Sequence, residues 1–301
     1  MSDQPRRLGG PSNYWLYHPS TGYDLTRSLT PRLTIPTTTT QPITTCPSTT
    51  ALIIVDMQNF FLDPAAGRPR NPLAVEAERK LIEVGIPACE EGGVRVVHLT
   101  WGLEEGEEVL PTVVRGFGAV LEGDLEGVDG ERMGERFGER FGERFGEKAS
   151  VGDEIGDVKL EDGRVVPGGK LLVRDQWNTA LHQPFEDSFS KSQSLPLPQV
   201  RFHKSGISGF GSPSSPIATF LKDQGIKTLL FAGVNTDQCV MGSLQDAVGM
   251  GFDAVLMKDG CATASPDYAR KMAEFNCRKN WGFVARLDDL ADGVKNMSKG
   301  Q

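Results

Sequence analysis

Cysteine is scarce in this chain of 301 residues: there are five, at positions 46, 89, 239, 261 and 277. An odd number at wide spacing does not form a disulfide framework. A reducing cytoplasmic setting is therefore expected, with Cys239 kept as a thiol and Cys46, Cys89, Cys261 and Cys277 as structural bystanders. Histidine is scarcer still, at four, which leaves little for a His-rich metal centre. No run of eighteen apolar residues occurs, so no membrane span is expected. No basic run occurs either, and the net charge is −8. That balance argues against a nucleic-acid surface. Arg6 and Arg7 lie near the start, but no apolar stretch follows them, and a secretory signal is not expected.

What is present is ample apolar material, 38% of the chain, enough for one sizeable α/β core. Apolar strand-like runs at Ala51–Val55, Val94–Leu99, Val200–Phe202, Thr228–Ala232, Ala254–Met257 and Gly282–Ala285 alternate with helical patterns. The helical patterns fall at Ala74–Glu91, Pro216–Gln224, Asp237–Met250 and Pro266–Asn280. In the first of them Val75, Leu81, Ile82 and Val84 are placed to face a sheet. Alternating βα units predict a three-layer αβα sandwich around a central, mostly parallel sheet. Residues 1–49 read as an arm. Tyr14, Trp15, Tyr17 and Tyr23 would dock it on the core or on a neighbouring subunit, and the Thr/Pro-rich tract Thr34–Thr50 would act as an extended linker. The main domain spans 50–288, and 289–301 reads as a C-terminal tail. Residues 104–167 read as a low-complexity insertion, since Gly-Glu-Arg-Phe and its variants recur from Gly130 to Lys148. The periodic glycines there oppose a stable helix.

Three short segments carry the chemistry. The strand Ala51–Val55 ends at Asp56, followed by Met57 and Gln58. Ligands bind at the C-terminal edge of open α/β sheets, so Asp56 is well placed. The strand Val200–Phe202 delivers Lys204 into a Gly/Ser loop that ends at Phe210. The strand ending near Gly233 leads through Val234, Asn235, Thr236, Asp237 and Gln238 to Cys239, in the first turn of a helix. Free N–H groups and the positive end of the helix dipole lie there, and both favour a thiolate. A thiol needs a base to become a nucleophile, a carboxylate can serve, and a cation steadies both anions.

This ordered set resembles the isochorismatase-like cysteine hydrolases, which include nicotinamidases, N-carbamoylsarcosine amidases, ureidoacrylate and biuret hydrolases and isochorismatases. Asp56-x-Gln58, the Lys204 to Phe210 segment and Gly233-Val234-x-Thr236-x-x-Cys239-Val240 match the family pattern in order, and the resemblance covers about 50–103 and 165–288. It implies Asp56 as general base and acid, Lys204 as the cation and Cys239 as a nucleophile forming a thioester. It further implies an oxyanion site at the backbone of Cys239 and Asn235, with a cis peptide at Val234–Asn235. It implies a small-molecule substrate, a homo-oligomer and no cofactor.

Gln58, Phe61, Trp101, Trp177, Phe210 and Asn235 are the candidate substrate-binding residues. His203 precedes the lysine on its strand and so should face the other side. Nicotinamidases carry an Asp-x-His…His metal site after the second strand. Here His98 lies inside the strand and the next histidine is His182, so no metal is expected. Two other functions compete with amide or ureide hydrolysis. One is vinyl-ether hydrolysis of isochorismate with Asp56 as the acid, and the other is a catalytically idle interaction protein on the same fold.

Overall fold

The computed structural model describes residues 4–39, 41–117 and 150–299. The Gly-Glu-Arg-Phe repeat lies outside them. Five short strands come first: β1 (Arg6–Gly9), β2 (Tyr14–His18), β3 (Gly22–Asp24), β4 (Leu33–Ile35) and β5 (Ile43–Thr45). They form a sheet of order β1-β2-β3-β5-β4. The extended linker expected at Thr34–Thr50 is therefore partly sheet: Leu33, Ile35 and Ile43 turn inward and are fully buried. This small sheet docks through Trp15 and Tyr23, whose rings each pack 5.1 Å from the ring of Phe283.

The main sheet contains β6 (Thr50–Val55), β7 (Arg95–Trp101), β10 (Val200–Lys204), β11 (Thr228–Val234), β12 (Asp253–Ala262) and β13 (Gly282–Ala285). Between β7 and β10 lies a separate hairpin, β8 (Asp157–Lys159) and β9 (Val165–Pro167). The main order is β10-β7-β6-β11-β12-β13, and every pairing is parallel. All six residues of β6 and all seven of β11 are buried, as expected for strands covered on both faces by helices. From β6 the chain winds outward to β7 and β10. It then returns to β11 and winds the other way. The C-terminal ends of β6 and β11 thus flank a topological switch point, where such sheets open a crevice.

The helix after β6 runs through Pro72–Lys80, a wide π turn at Leu81–Gly85, and Ile86–Gly92. The wide turn precedes Pro87, which has no N–H to donate to the preceding turn. Its inward face is Ala74, Ala77, Leu81, Ile86 and Cys89, whereas Val75, placed on the sheet side by the sequence, is 42% exposed. Both ends of the presumed low-complexity insertion are ordered structure. Helix Pro111–Phe117 buries Val113 and Phe117, and the β8–β9 hairpin buries Val158. The presumed C-terminal tail is most of a helix, Leu287–Lys299. It lies across β4, with Gly293 so close to Thr34 that a side chain there would meet its carbonyl. Among the described residues no helix is long and apolar enough to cross a membrane.

Candidate active site

At the end of β11 the chain passes very close to β6. Gly233 has φ +116°, and a Cβ there would lie 2.1 Å from the carbonyl oxygen of Val55. Only glycine permits that approach. The Val234–Asn235 peptide is cis. Asn235 then leads into the turn Thr236–Val240, which continues as helix Met241–Gly249. Cys239 therefore sits in the first turn of a helix beside the tip of β6. Across the crevice Asp56 leaves β6 with φ +55°, a left-handed conformation that Asp tolerates better than most residues. Its N–H donates to the Leu99 carbonyl on β7, which fixes its direction.

Lys204 is the last residue of β10 and pairs in register with Trp101, the last of β7. Its Nζ lies 3.0 Å from Asp56 Oδ2. It also donates to the Gly206 carbonyl at 3.1 Å and stands 3.9 Å from the centre of the Trp101 ring. The other carboxylate oxygen, Oδ1, accepts the Trp101 backbone N–H at 3.1 Å. Asp56, Trp101, Cys239 and Lys204 are 0, 0, 1 and 4% exposed. So the crevice brings Asp56, Lys204 and Cys239 together in a dry environment.

Burial raises the Asp56 carboxyl, against the opposing pull of Lys204 and of its hydrogen bonds. Burial likewise pushes the Cys239 thiol up to about 12; Lys204 lowers it and the Asp56 charge raises it further. The thiol and the carboxylate therefore compete for one proton while Lys204 balances one negative charge.

The candidate substrate residues divide. Gln58 is fully buried and its amide is committed to backbone. It donates to the carbonyls of Trp101 (2.9 Å) and Thr179 (2.7 Å) and accepts from the Trp101 N–H (2.9 Å). It clamps the site rather than offering a group to a ligand. Phe210 is also a correction. It is fully buried against Phe231 and Phe252, with ring centres 6.0 and 6.2 Å away, and so fills the core. Trp177 opens a short 3-10 turn whose carbonyl accepts from Asn59 Nδ2 at 2.9 Å. Phe61 packs against Phe60 and Phe117, and Phe117 packs in turn against Trp101. This aromatic cluster adjoins the lysine. Asn235 is half-buried, and its Oδ1 accepts the Ala264 N–H at 3.2 Å. His203 hydrogen-bonds Thr100 at 3.2 Å, and His98 is buried against Gln199 at 2.7 Å.

Sequence reasoning missed Arg68. Gly67, at φ +82°, turns the chain back after the short turn Pro64–Ala66. The Arg68 guanidinium then stacks 4.3 Å from the centre of the Phe60 ring and 5.2 Å from that of Phe61. Burial lowers it to about 9, and the ionised form of Cys239 opposes that fall. It is a cation at neutral pH within electrostatic range of the thiol. The one available signal was an arginine in a Gly/Pro-bounded loop just after the Asp56 strand. Two surface clefts, of about 230 and 560 Å³, do not reach Cys239, although Phe61 lines the smaller one. Among the described residues no three His, Cys, Asp or Glu side chains cluster as a metal site would require.

Comparison with known proteins places this geometry. Among solved structures, the chain is similar to an isochorismatase family protein from Desulfovibrio vulgaris (19% identity, TM-score 0.53, covering 82% of this chain and 98% of that one). It is similar to a cysteine hydrolase from Pseudomonas syringae pv. phaseolicola (15%, 0.54, 89% and 100%). A nicotinamidase from Bacillus subtilis is similar as well (16%, 0.52, 79% and 99%). At these identities the likeness is one of fold. The family description "Isochorismatase domain" matches residues 50–289, all six strands of the main sheet included, and the chain belongs to the isochorismatase family.

Proposed function

We propose that this protein is a cysteine hydrolase that cleaves a C–N bond of a small amide or ureide through a thioester on Cys239. The observation that carries this reading is the buried contact of Asp56 with Lys204 at 3.0 Å beside the Cys239 thiol. Asp56 takes the thiol proton as the sulfur attacks the substrate carbonyl carbon. The C–S bond forms, and the carbonyl oxygen takes up negative charge beside the backbone N–H groups of Asn235 and Cys239. The same Asp56, now protonated, gives its proton to the leaving nitrogen as the C–N bond breaks. Asp56 then takes a proton from water as its oxygen attacks the thioester carbon; the C–S bond breaks, Asp56 returns the proton to the departing sulfur, and the acid product leaves. Lys204 holds the net charge of the pair near zero throughout. Arg68, stacked on Phe60 and Phe61, favours substrates that carry an anionic group.

A second reading has a specific observation behind it. Burial raises the Asp56 carboxyl, which suits a proton donor to the double bond of a vinyl ether. Isochorismate hydrolysis would then need Asp56 more than the thiol. Intact-protein mass spectrometry with a panel of small amides, ureides and isochorismate, on wild type, Cys239→Ala and Asp56→Asn, separates the two. Cysteine catalysis is expected to give an acyl adduct on wild type, with turnover lost in both variants. Turnover of isochorismate that survives Cys239→Ala and vanishes in Asp56→Asn would replace it with the acid mechanism.

A further inference from the structure

Trp101 ends β7 with its side chain fully buried, and no nitrogen or oxygen atom among the described residues accepts its indole N–H. A buried donor without an acceptor is costly and uncommon. The contrast within the chain is direct: Trp15, in the N-terminal sheet, donates its indole N–H to Asp253 at 2.7 Å. A buried tryptophan ordinarily finds such a partner.

Among the described residues, contacts hold Trp101 both at its backbone and at its ring. Its backbone N–H is held by Asp56 Oδ1 and Gln58 Oε1, and its carbonyl by Gln58 Nε2. One face carries the Lys204 ammonium at 3.9 Å, and Phe117 packs edge-on at 5.1 Å. The orientation so fixed turns the indole N–H toward the sulfur of Cys239, which it and Lys204 both favour in the ionised form. The two contributions differ in kind. Lys204 is already engaged by the Asp56 carboxylate, so the ammonium serves the pair as a whole. The indole N–H is neutral, has no nitrogen or oxygen acceptor among the described residues, and faces the atom on which charge appears.

We infer that the Trp101 indole N–H is a catalytic hydrogen-bond donor that stabilises the charge on Cys239 Sγ when Asp56 removes its proton. No co-reactant is needed: the proton passes from sulfur to the carboxylate, and the N–H…S hydrogen bond strengthens as the sulfur becomes anionic. The energetic sense is that of a preorganised donor aimed at developing charge, with no reorganisation at the moment of reaction. The inference rests on the reading of Cys239 as the nucleophile.

The test is the pH profile of Cys239 alkylation by iodoacetamide, followed by peptide mass spectrometry, with kcat and KM measured alongside. Trp101→Phe keeps a ring for Lys204 and Phe117 but removes the N–H. Incorporation of 3-benzothienylalanine at position 101 keeps the bicyclic shape and replaces N–H by sulfur, which covers the case where phenylalanine disturbs folding. Both variants are expected to move the alkylation profile to higher pH. At neutral pH, alkylation and kcat should fall between about tenfold and a hundredfold, with little change in KM or in the unfolding temperature. Profiles that coincide with wild type in both variants would overturn the assignment while leaving the cysteine mechanism intact. A wild-type Cys239 that never alkylates, together with full turnover in Cys239→Ala, would overturn both.

Discussion

Arg27 grips Asp253 with two nitrogens, Nη1 to Oδ2 at 2.7 Å and Nη2 to Oδ1 at 2.9 Å, and so ties the N-terminal segment to the start of β12. The pair is nearly dry, at 11 and 3% side-chain exposure. Asp253 also accepts from Trp15 Nε1 and from Thr228 Oγ1 on β11. Removing the cation would strand a buried carboxylate, which costs about 3–5 kcal/mol. Arg27→Met is therefore expected to lower the unfolding temperature by roughly 10 °C. Arg32, paired with Asp24 at 2.8 Å but 48% exposed, is the control: Arg32→Met should cost under about 1 kcal/mol. Equal unfolding curves for the two variants would show that the N-terminal sheet is not anchored through Asp253.

That anchoring was hidden in the sequence, and the reason is physical. The strands of the main sheet are continuous apolar runs such as Leu52-Ile53-Ile54-Val55, because both faces are covered, and such runs announce themselves. The strands β3, β4 and β5 have three residues each, too few to display a period of two. The threonines of β4 and β5 mimic a linker. The aromatic residues were the usable clue, and Trp15 and Tyr23 do meet Phe283 on the core. At the site, Asp56, Lys204 and Cys239 were legible because each follows a recognisable strand. The commitment of Gln58 to backbone and the retreat of Phe210 into the core depend on contacts between segments distant in sequence. No local pattern encodes them.

Lys204 is expected to resist conservative replacement. Its ammonium fits between Asp56 Oδ2 at 3.0 Å and the Trp101 ring at 3.9 Å, a space shaped for a compact charge. Arginine would bring a broad planar head group and a different set of donors. Lys204→Met leaves the Asp56 charge unbalanced in a dry site, and Lys204→Arg displaces Trp101. Both are expected to reduce kcat by about a thousandfold or more, measured by steady-state turnover on whichever substrate the mass-spectrometric panel identifies. Turnover within tenfold of wild type in Lys204→Arg would mean that charge alone suffices and that the close seating is incidental.

Arg68→Gln tests the substrate side. The guanidinium lies against Phe60 and Phe61, and at neutral pH it is a cation near Cys239. If it receives an anionic group, KM for carboxylate-bearing substrates should rise about tenfold, while neutral analogues of the same amide change little. Matched KM values for charged and neutral analogues in the variant and wild type would remove Arg68 from substrate recognition.

His98 supplies a prediction in pH. Its ring is fully buried, Nε2 meets Gln199 Oε1 at 2.7 Å, and Nδ1 has no partner among the described residues. Burial lowers its pKa to about 4 from an ordinary 6.5, with the nearby Arg201 charge acting in the same direction. Below pH 6.5 the unfolded chain binds a proton that the folded chain refuses until about pH 4. The folded state thus binds fewer protons, and stability must fall as pH falls through that window. The stability is fully present above pH 6.5, and this group takes no more away below about pH 4. The total is on the order of 3 kcal/mol. His203 is lowered to about 4 as well but is less buried, and it should contribute a smaller loss in the same window. Urea unfolding of wild type and His98→Gln at pH 7, 5.5 and 4.5 separates the two contributions. Glutamine retains an amide for Gln199 but does not titrate, so the variant is expected to start less stable at pH 7 and to lose less on acidification. Parallel losses in the two proteins would assign the acid sensitivity elsewhere, with His203 the next residue to replace.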